Sequence, residues 1–240
     1  MDTSGYVALS RQSGLMREMQ AVANNVANIS TTGYRREGVI FSEVVKSLDA
    51  EGGSASLTTT GARFTDEAQG GLERTGGALD LAIEGEGFFM VETADGVRLT
   101  RSGAFTPNAD GELANALGHK LLDAGESPIF VPNDGGAVSV SGDGTMSAGG
   151  QPLAQVGLMT VEDLNTLFRE DGVNFRPEAE LIPVENGVVL QGFLENSNVN
   201  PVGEITRMIE VQRSYELGQK LMEREDERIR AVTRTLGQSR

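Results

Sequence analysis

The sequence predicts an α+β protein: long N- and C-terminal α-helices pairing as a coiled-coil-like inner module, with a central antiparallel β-rich domain. Three observations carry that expectation. Apolar residues recur at alternating spacings of four and three at both ends of the chain, the period of a helix–helix seam. Asp-Gly pairs recur through the middle between alternating apolar residues, the pattern of tight antiparallel hairpins. Charge and glycine are also partitioned. Residues 1–46 carry five basic and four acidic residues, and 201–240 carry eight and seven, so each end nets +1. Residues 47–200 carry seven basic and twenty-four acidic residues, a net of −17, and 24 of the 31 glycines. The 240 residues therefore divide into an N-terminal helix (1–34), an extended connector (35–69), a β-rich domain (70–192) and a C-terminal helix (193–240).

In the first segment Leu15, Met19, Val22, Val26 and Ile29 step by four and three. Thr31-Thr32-Gly33 then ends the helix. Asn24, Asn25 and Asn28 are poor helix formers inside this run. They read either as a polar stripe that meets a partner or as a solvated face. Gly5 and Gly14 weaken the start of the helix, which places its firm beginning after Gly14 or leaves a bend. The connector is rich in Gly, Ser and Thr, including Leu57-Thr58-Thr59-Thr60-Gly61.

The β domain opens with Leu79, Leu81 and Ile83 alternating with Asp80, Ala82 and Glu84, followed by Phe88-Phe89-Met90-Val91. Turns are marked by Asp95-Gly96, Asp110-Gly111, Asp134-Gly135, Asp143-Gly144, Asp171-Gly172 and Asn186-Gly187. The glycine supplies the positive φ that such turns require. The last segment carries the longest seam: Met208, Val211, Tyr215, Gly218, Met222, Glu225, Ile229, Val232 and Leu236. Pro201 suits the first helical position and Gly237 the stop. Such a helix from 201 to 236 is about 54 Å long.

Composition excludes several function classes. A formal charge of −15 argues against a nucleic-acid partner. Without Cys there is no disulfide, thiolate metal site or Cys nucleophile, and one His excludes a two-His metal motif. No apolar run approaches the roughly 20 residues of a membrane span, so no direct membrane insertion is expected. The start, Met1-Asp2-Thr3-Ser4-Gly5, lacks the basic region and apolar core of a secretory signal. Candidate chemistry is weak. His119 reads as a surface or capping residue, and Asp80 with Glu84 as strand polar positions rather than a glycosidase pair. Asp134 and Asp143 lack the spacing of a calcium loop. Gly85-Glu86-Gly87 lacks the third Gly and the helix of a nucleotide loop. No cofactor and no metal are expected. An acidic β-rich carbohydrate-acting enzyme and a secreted β adhesin remain as alternatives of other classes.

Three blocks resemble the bacterial flagellar rod and hook proteins. The first is Ala23-Asn24-Asn25-Val26-Ala27-Asn28 with Thr31, Gly33 and Tyr34, where Val26 replaces the usual Leu. The second runs through Gln69-Gly70 and Thr75-Gly76 to Leu79–Phe89, then Thr100-Arg101-Ser102-Gly103-Ala104-Phe105. The third is Gly192–Pro201 leading into Glu204, Met208-Ile209, Gln212-Arg213, Tyr215-Glu216 and Lys220. Length places the chain nearest the proximal-rod members, with the distal-rod members as the alternative. The resemblance implies a structural, non-enzymatic subunit of the basal-body rod, crossing the periplasm and exported through the flagellar type III apparatus without a cleavable signal. It implies terminal helices forming an inner tube around an export channel, a β domain outside, and torque passed by packing. The implied partners are other rod proteins, copies of itself, MS-ring or rod-adaptor proteins at the base, and the export apparatus. The assembly interface is then expected at Leu15, Met19, Val22, Asn24, Asn25, Val26, Asn28 and Ile29; at Asn196, Asn198, Val199 and Asn200; and at Met208, Val211, Gln212, Tyr215, Met222, Ile229, Val232 and Leu236.

Overall fold

A computed structural model of the chain describes residues 3–47, 54–132, 136–184 and 187–238. These form two compact units, one of residues 1–27, 37–66 and 200–240, the other of residues 28–36 and 67–199.

The first unit holds two helices and a hairpin. Helix α1 spans Thr3–Ala27 and runs through both Gly5 and Gly14. Strands β1 (Glu37–Ser47) and β2 (Ser54–Thr65) pair antiparallel from Glu37 opposite Thr65 to Ser47 opposite Ser54, with an irregularity between Val39 and Phe41. The β-branched content of Val39, Ile40, Val44, Val45 and Thr58-Thr59-Thr60 suits extended backbone. The connector expected over 35–69 is therefore largely a paired hairpin. Helix α2 spans Pro201–Gln238. It opens on an Asn cap: the Asn200 side-chain oxygen accepts from Gly203 N (3.1 Å), and Pro201 fills the first turn, where an N–H has no helical partner.

The helical part of the expected fold needs correction. The long helices do not make a self-contained coiled-coil-like module. Helix α1 packs against β1 and β2 as well as α2, so the unit is two helices plus a sheet. Among the described residues of the α2 seam only Val211 is fully buried, and Met208, Tyr215 and Met222 are half-buried. The physical reason is length. The helices run antiparallel, with Gln12 meeting Tyr215, Glu18 meeting Arg207 and Asn25 meeting Glu204. Helix α1 extends only nine residues beyond Gln12, to Thr3. Helix α2 beyond about residue 224 therefore runs past the start of α1. Ile229, on the expected seam, is 47 % exposed.

Every described strand pairing of the second unit is antiparallel, with one short 3-10 turn at Leu164–Thr166, and the strands form several sheets rather than one. The largest places Leu167–Asp171, Asn174–Pro177, β6 (Gly96–Thr100), β5 (Phe88–Thr93), Lys120–Leu121, Leu113–Ala114 and Thr106–Pro107 side by side. Beside it are Val138–Val140, Thr145–Ala148 and Gln151–Gln155 as a three-stranded sheet. Two further pairs join β3 (Leu72–Arg74) to Phe193–Glu195 and β4 (Leu81–Glu84) to Val188–Gln191. Strand β5 explains the uninterrupted Phe-Phe-Met-Val run. Phe89 and Val91 enter a core with Leu81, Ile83, Phe105 and Leu113, while Phe88 and Met90 enter another with Leu99, Leu122 and Phe175. A strand covered on both faces has no polar side to display. Gly96, Gly111, Gly144 and Gly172 all adopt positive φ at their Asp-Gly turns. Asp134, Gly135 and Asn186 lie outside the described residues.

Candidate functional site

Part of each sequence block folds inward, while Asn24, Ile209, Gln212, Arg213, Glu216 and Lys220 stay exposed. In the helical unit, Asn25 is fully buried. Its carboxamide oxygen accepts from Glu37 N (2.8 Å), and its nitrogen donates to Glu37 O (2.8 Å) and to Glu204 Oε2 (3.1 Å). One side chain thus ties α1 to the first residue of β1 and to the first turn of α2. Asn can do this because it carries both a donor and an acceptor. Arg207 Nε donates to Glu18 Oε1 (2.6 Å), and Gln12 Nε2 donates to the backbone oxygen of Tyr215 (3.0 Å) over Gly218. Gly218, a break in the apolar seam, is where α2 leaves room for the Gln12 amide.

In the β unit the three blocks meet at Glu195, which is 1 % exposed. Its carboxylate accepts from Arg35 Nη2 (2.9 Å), Arg101 Nη1 (3.1 Å) and Gly70 N (3.0 Å). Burial pushes the Arg101 guanidinium down to about 10, although Glu195 lies against it. Arg101 also donates to Gly85 O (2.7 Å), and Arg35 to the backbone oxygens of Glu67 (3.1 Å) and Ala68. Gly33 N donates to Glu195 O (2.7 Å). Any side chain at Gly33 or Gly70 would strike the backbone of Arg101-Ser102 or of Asn196, so both positions require glycine. Asn198 accepts from Arg36 N (2.6 Å) and donates to Ala68 O (2.8 Å), and Asn196 donates to Glu73 (2.9 Å).

The expected interface residues are thus scattered. Val22, Asn25, Val199 and Val211 are buried inside their own units. Leu15, Met19, Val26, Met208, Tyr215 and Met222 are half-buried, while Asn24, Gln212 and Ile229 are exposed. Ile29 packs against Tyr34, Val173 and Val199 in the β unit, and Asn28 accepts from Thr31 in the turn after α1. Asn200 is a helix cap. The side chains of Val232 and Leu236 lie outside the described residues.

Sequence reasoning missed a second face of α2. Val202 is 75 % exposed, Ile205 50 % and Ile209 46 %, with Leu217 and Leu221 further along and also exposed. Residues 202, 205 and 209 follow an i, i+3, i+7 spacing, so they share one helical stripe. The buried Glu204 and Val211 lie roughly opposite. The signal was present in the sequence, but the longer 208–236 seam masked it. Helix α1 carries a smaller counterpart in exposed Leu9 and Met16, seven residues apart.

Catalytic chemistry finds little footing among the described residues. No group of three or more His, Asp or Glu is placed to hold a metal. His119 Nδ1 lies 3.1 Å from the buried Asn174 amide nitrogen, and its backbone N donates to Asn115 Oδ1 (3.0 Å). Asp80 accepts from Thr75 Oγ1 (2.5 Å), and Glu84 is exposed. No described helix is long and apolar enough to cross a membrane.

Comparison with known families gives a consistent result along the chain. Residues 1–35 match the family described as flagella basal body rod protein, 82–148 the flagellar hook protein FlgE/F/G D1 domain, and 190–235 the flagellar basal body rod FlgEFG protein C-terminal family. The chain is 41 % identical over 246 residues to the flagellar basal-body rod protein FlgF of Caulobacter vibrioides, covering 99 % of both. It is 36 % identical to FlgF of Rhizobium meliloti, over 100 % of both chains. It is 31 % identical to the flagellar basal-body rod protein FlgG of Agrobacterium fabrum, over 96 % of this chain and 98 % of that one. The full-length similarity to named rod proteins, with the three family matches in order along the sequence, shows that the chain belongs to the flagellar basal-body rod protein family.

Proposed function

We propose that this protein is a structural subunit of the bacterial flagellar basal-body rod, of the proximal-rod type. The carrying observation is the outer stripe of α2. Val202, Ile205 and Ile209 are large apolar residues left in water on a helix whose opposite side is already occupied. Exposed contiguous apolar surface marks a protein–protein contact. Contacts between unlike surfaces that do not close generate a filament, the assembly a rod requires. The subunit joins copies of itself and other rod proteins through its terminal helices, which line the channel. It meets MS-ring or rod-adaptor proteins at the base and reaches its place through the flagellar export apparatus. Torque passes through packing, and the protein is not an enzyme. The higher identity to FlgF-named relatives than to an FlgG-named one favours the proximal over the distal type.

The test replaces Val202, Ile205 and Ile209 together with Asp in the full chain. The expected result is soluble protein with wild-type circular dichroism, absence of the subunit from isolated basal bodies, and lost motility. Normal incorporation of this variant would overturn the reading.

A further inference from the structure

In the β unit, many fastenings of residues 28–36 and 67–73 converge on residues 193–199. Glu195 O accepts from Gly33 N, Asn198 N donates to Tyr34 O (3.3 Å), and the Asn198 side chain bonds Arg36 N and Ala68 O. Asn196 N donates to Gly71 O (2.8 Å), and β3 pairs with Phe193–Glu195 along its length. Val199 closes the small core of Ile29, Tyr34 and Val173. At the centre, the Glu195 carboxylate separates two guanidinium groups, Arg35 and Arg101, 3 % and 4 % exposed. Outside this set, Arg169 holds residues 28–36 by donating to Arg35 O (2.5 Å) and stacking over the Tyr34 ring (4.5 Å), and Gln69 ties 67–73 to β4 by donating to Ile83 O (2.6 Å) and accepting from Gly85 N (3.2 Å).

Without Glu195 these positions would place two buried cations side by side, which is strongly unfavourable. Glu195 stands 160 positions after Arg35 (195 against 35), so its arrival requires closing a long loop. The hairpin of β5 and β6 closes locally and needs neither event.

We infer that residues 193–199 are a closing lock: segments 28–36 and 67–73 remain undocked until Glu195 enters between Arg35 and Arg101, so the β unit is completed last by its most C-terminal piece. Residue 28 follows α1 in the chain, and residue 199 lies just before α2. The lock therefore also brings together the two points from which the chain continues into its helices. A chain that has not yet delivered residue 195 keeps its core hairpins but not this junction.

Amide hydrogen exchange on the full-length protein, resolved by segment, tests the lock. In Glu195→Gln, exchange in 28–36 and 67–73 is expected to rise at least tenfold, while β5 and β6 keep wild-type protection. The variant Arg35→Met/Arg101→Met/Glu195→Leu, which removes all three charges, is expected to recover protection in both segments. In wild-type refolding followed by pulse labelling, 28–36 is expected to become protected after β5 and β6. The inference is overturned by wild-type protection of both segments in Glu195→Gln or by equal loss across β5 and β6. It is also overturned by a triple variant as open as Glu195→Gln, or by protection of 28–36 ahead of β5.

Discussion

Strand β5 and helix α2 hold two of the strongest apolar patterns in the chain, and folding treats them oppositely. Every side chain from Phe88 to Val91 is enclosed, with successive residues entering different cores. On α2 only Val211 among the described apolar residues is fully buried, while Val202, Ile205, Ile209, Leu217 and Leu221 face out. Strand β5 has spent its apolar surface on its own cores and α2 has kept part of its own in reserve, although the β unit also leaves Leu117, Phe130 and Phe168 exposed elsewhere. A subunit built this way can be rigid before assembly at one end of its function and incomplete at the other.

The largest effect expected from this contrast is at Phe89. Truncation to Ala removes a fully buried ring that stacks edge-on against Phe105 at 5.8 Å. It should cost about 3–5 kcal/mol of unfolding free energy. Ile205→Ala, by contrast, should stay within roughly 0.5 kcal/mol of wild type. Urea unfolding of the isolated subunits measures both. Comparable losses at the two positions would break the contrast, because they would place Ile205 in a core the free subunit already needs.

Next comes Asn25, which joins three elements of the helical unit. Asn25→Ala withdraws partners from the buried N–H and carbonyl of Glu37, and such a loss is expected to destabilise by about 1–3 kcal/mol. Asn24→Ala, one residue earlier and exposed, is the control and should be near neutral. If the two substitutions behave alike, the helical unit is held by apolar contact alone rather than by its polar ties.

These positions show where the sequence was readable. The helix at each end, the Pro201 start, the Asp-Gly turns at 95, 110, 143 and 171 and the buried β5 all follow from local rules: capping, positive φ and periodicity. What escaped was set by long-range partners. Asn25 looks like an odd helix residue until Glu37 and Glu204 stand beside it. Asn198, expected at an assembly surface, fastens Arg36 and Ala68 of its own unit. Glu195, Arg35 and Arg101 lie far apart in the chain, and no spacing rule links them. The pairing of 37–47 with 54–65 was hidden because Gly- and Ser-rich sequence reads as a connector even where β-branched residues flank it. The Val202 stripe was masked for a different reason. Two apolar faces on one helix blur each other's period, and the longer one dominates.

The smallest expected effect concerns the acidic surface of the β unit, and it sharpens the same contrast by separating charge from apolar burial. The Asn108 amide, and then Lys120, hold the Glu112 carboxyl below its usual range, while Glu112 in turn raises the Lys120 ammonium. Lys120 Nζ lies 3.1 Å from Glu112 and 3.6 Å from Glu92. An acid whose folded pKa is depressed stabilises the fold above its ordinary unfolded value, and that stabilisation is lost as pH falls through the folded value. Lys120→Met should therefore lower the unfolding midpoint slightly at neutral pH. The gap from wild type should close as the solution is taken into the acid range where Glu112 binds its proton. Thermal melts at stepped pH read this directly. The Ile205→Ala variant, which touches no titrating group of the β unit, should show the same small offset at every pH. A Lys120→Met gap that stays constant into acid would mean that its side chain acts by packing its aliphatic stem and not by its charge.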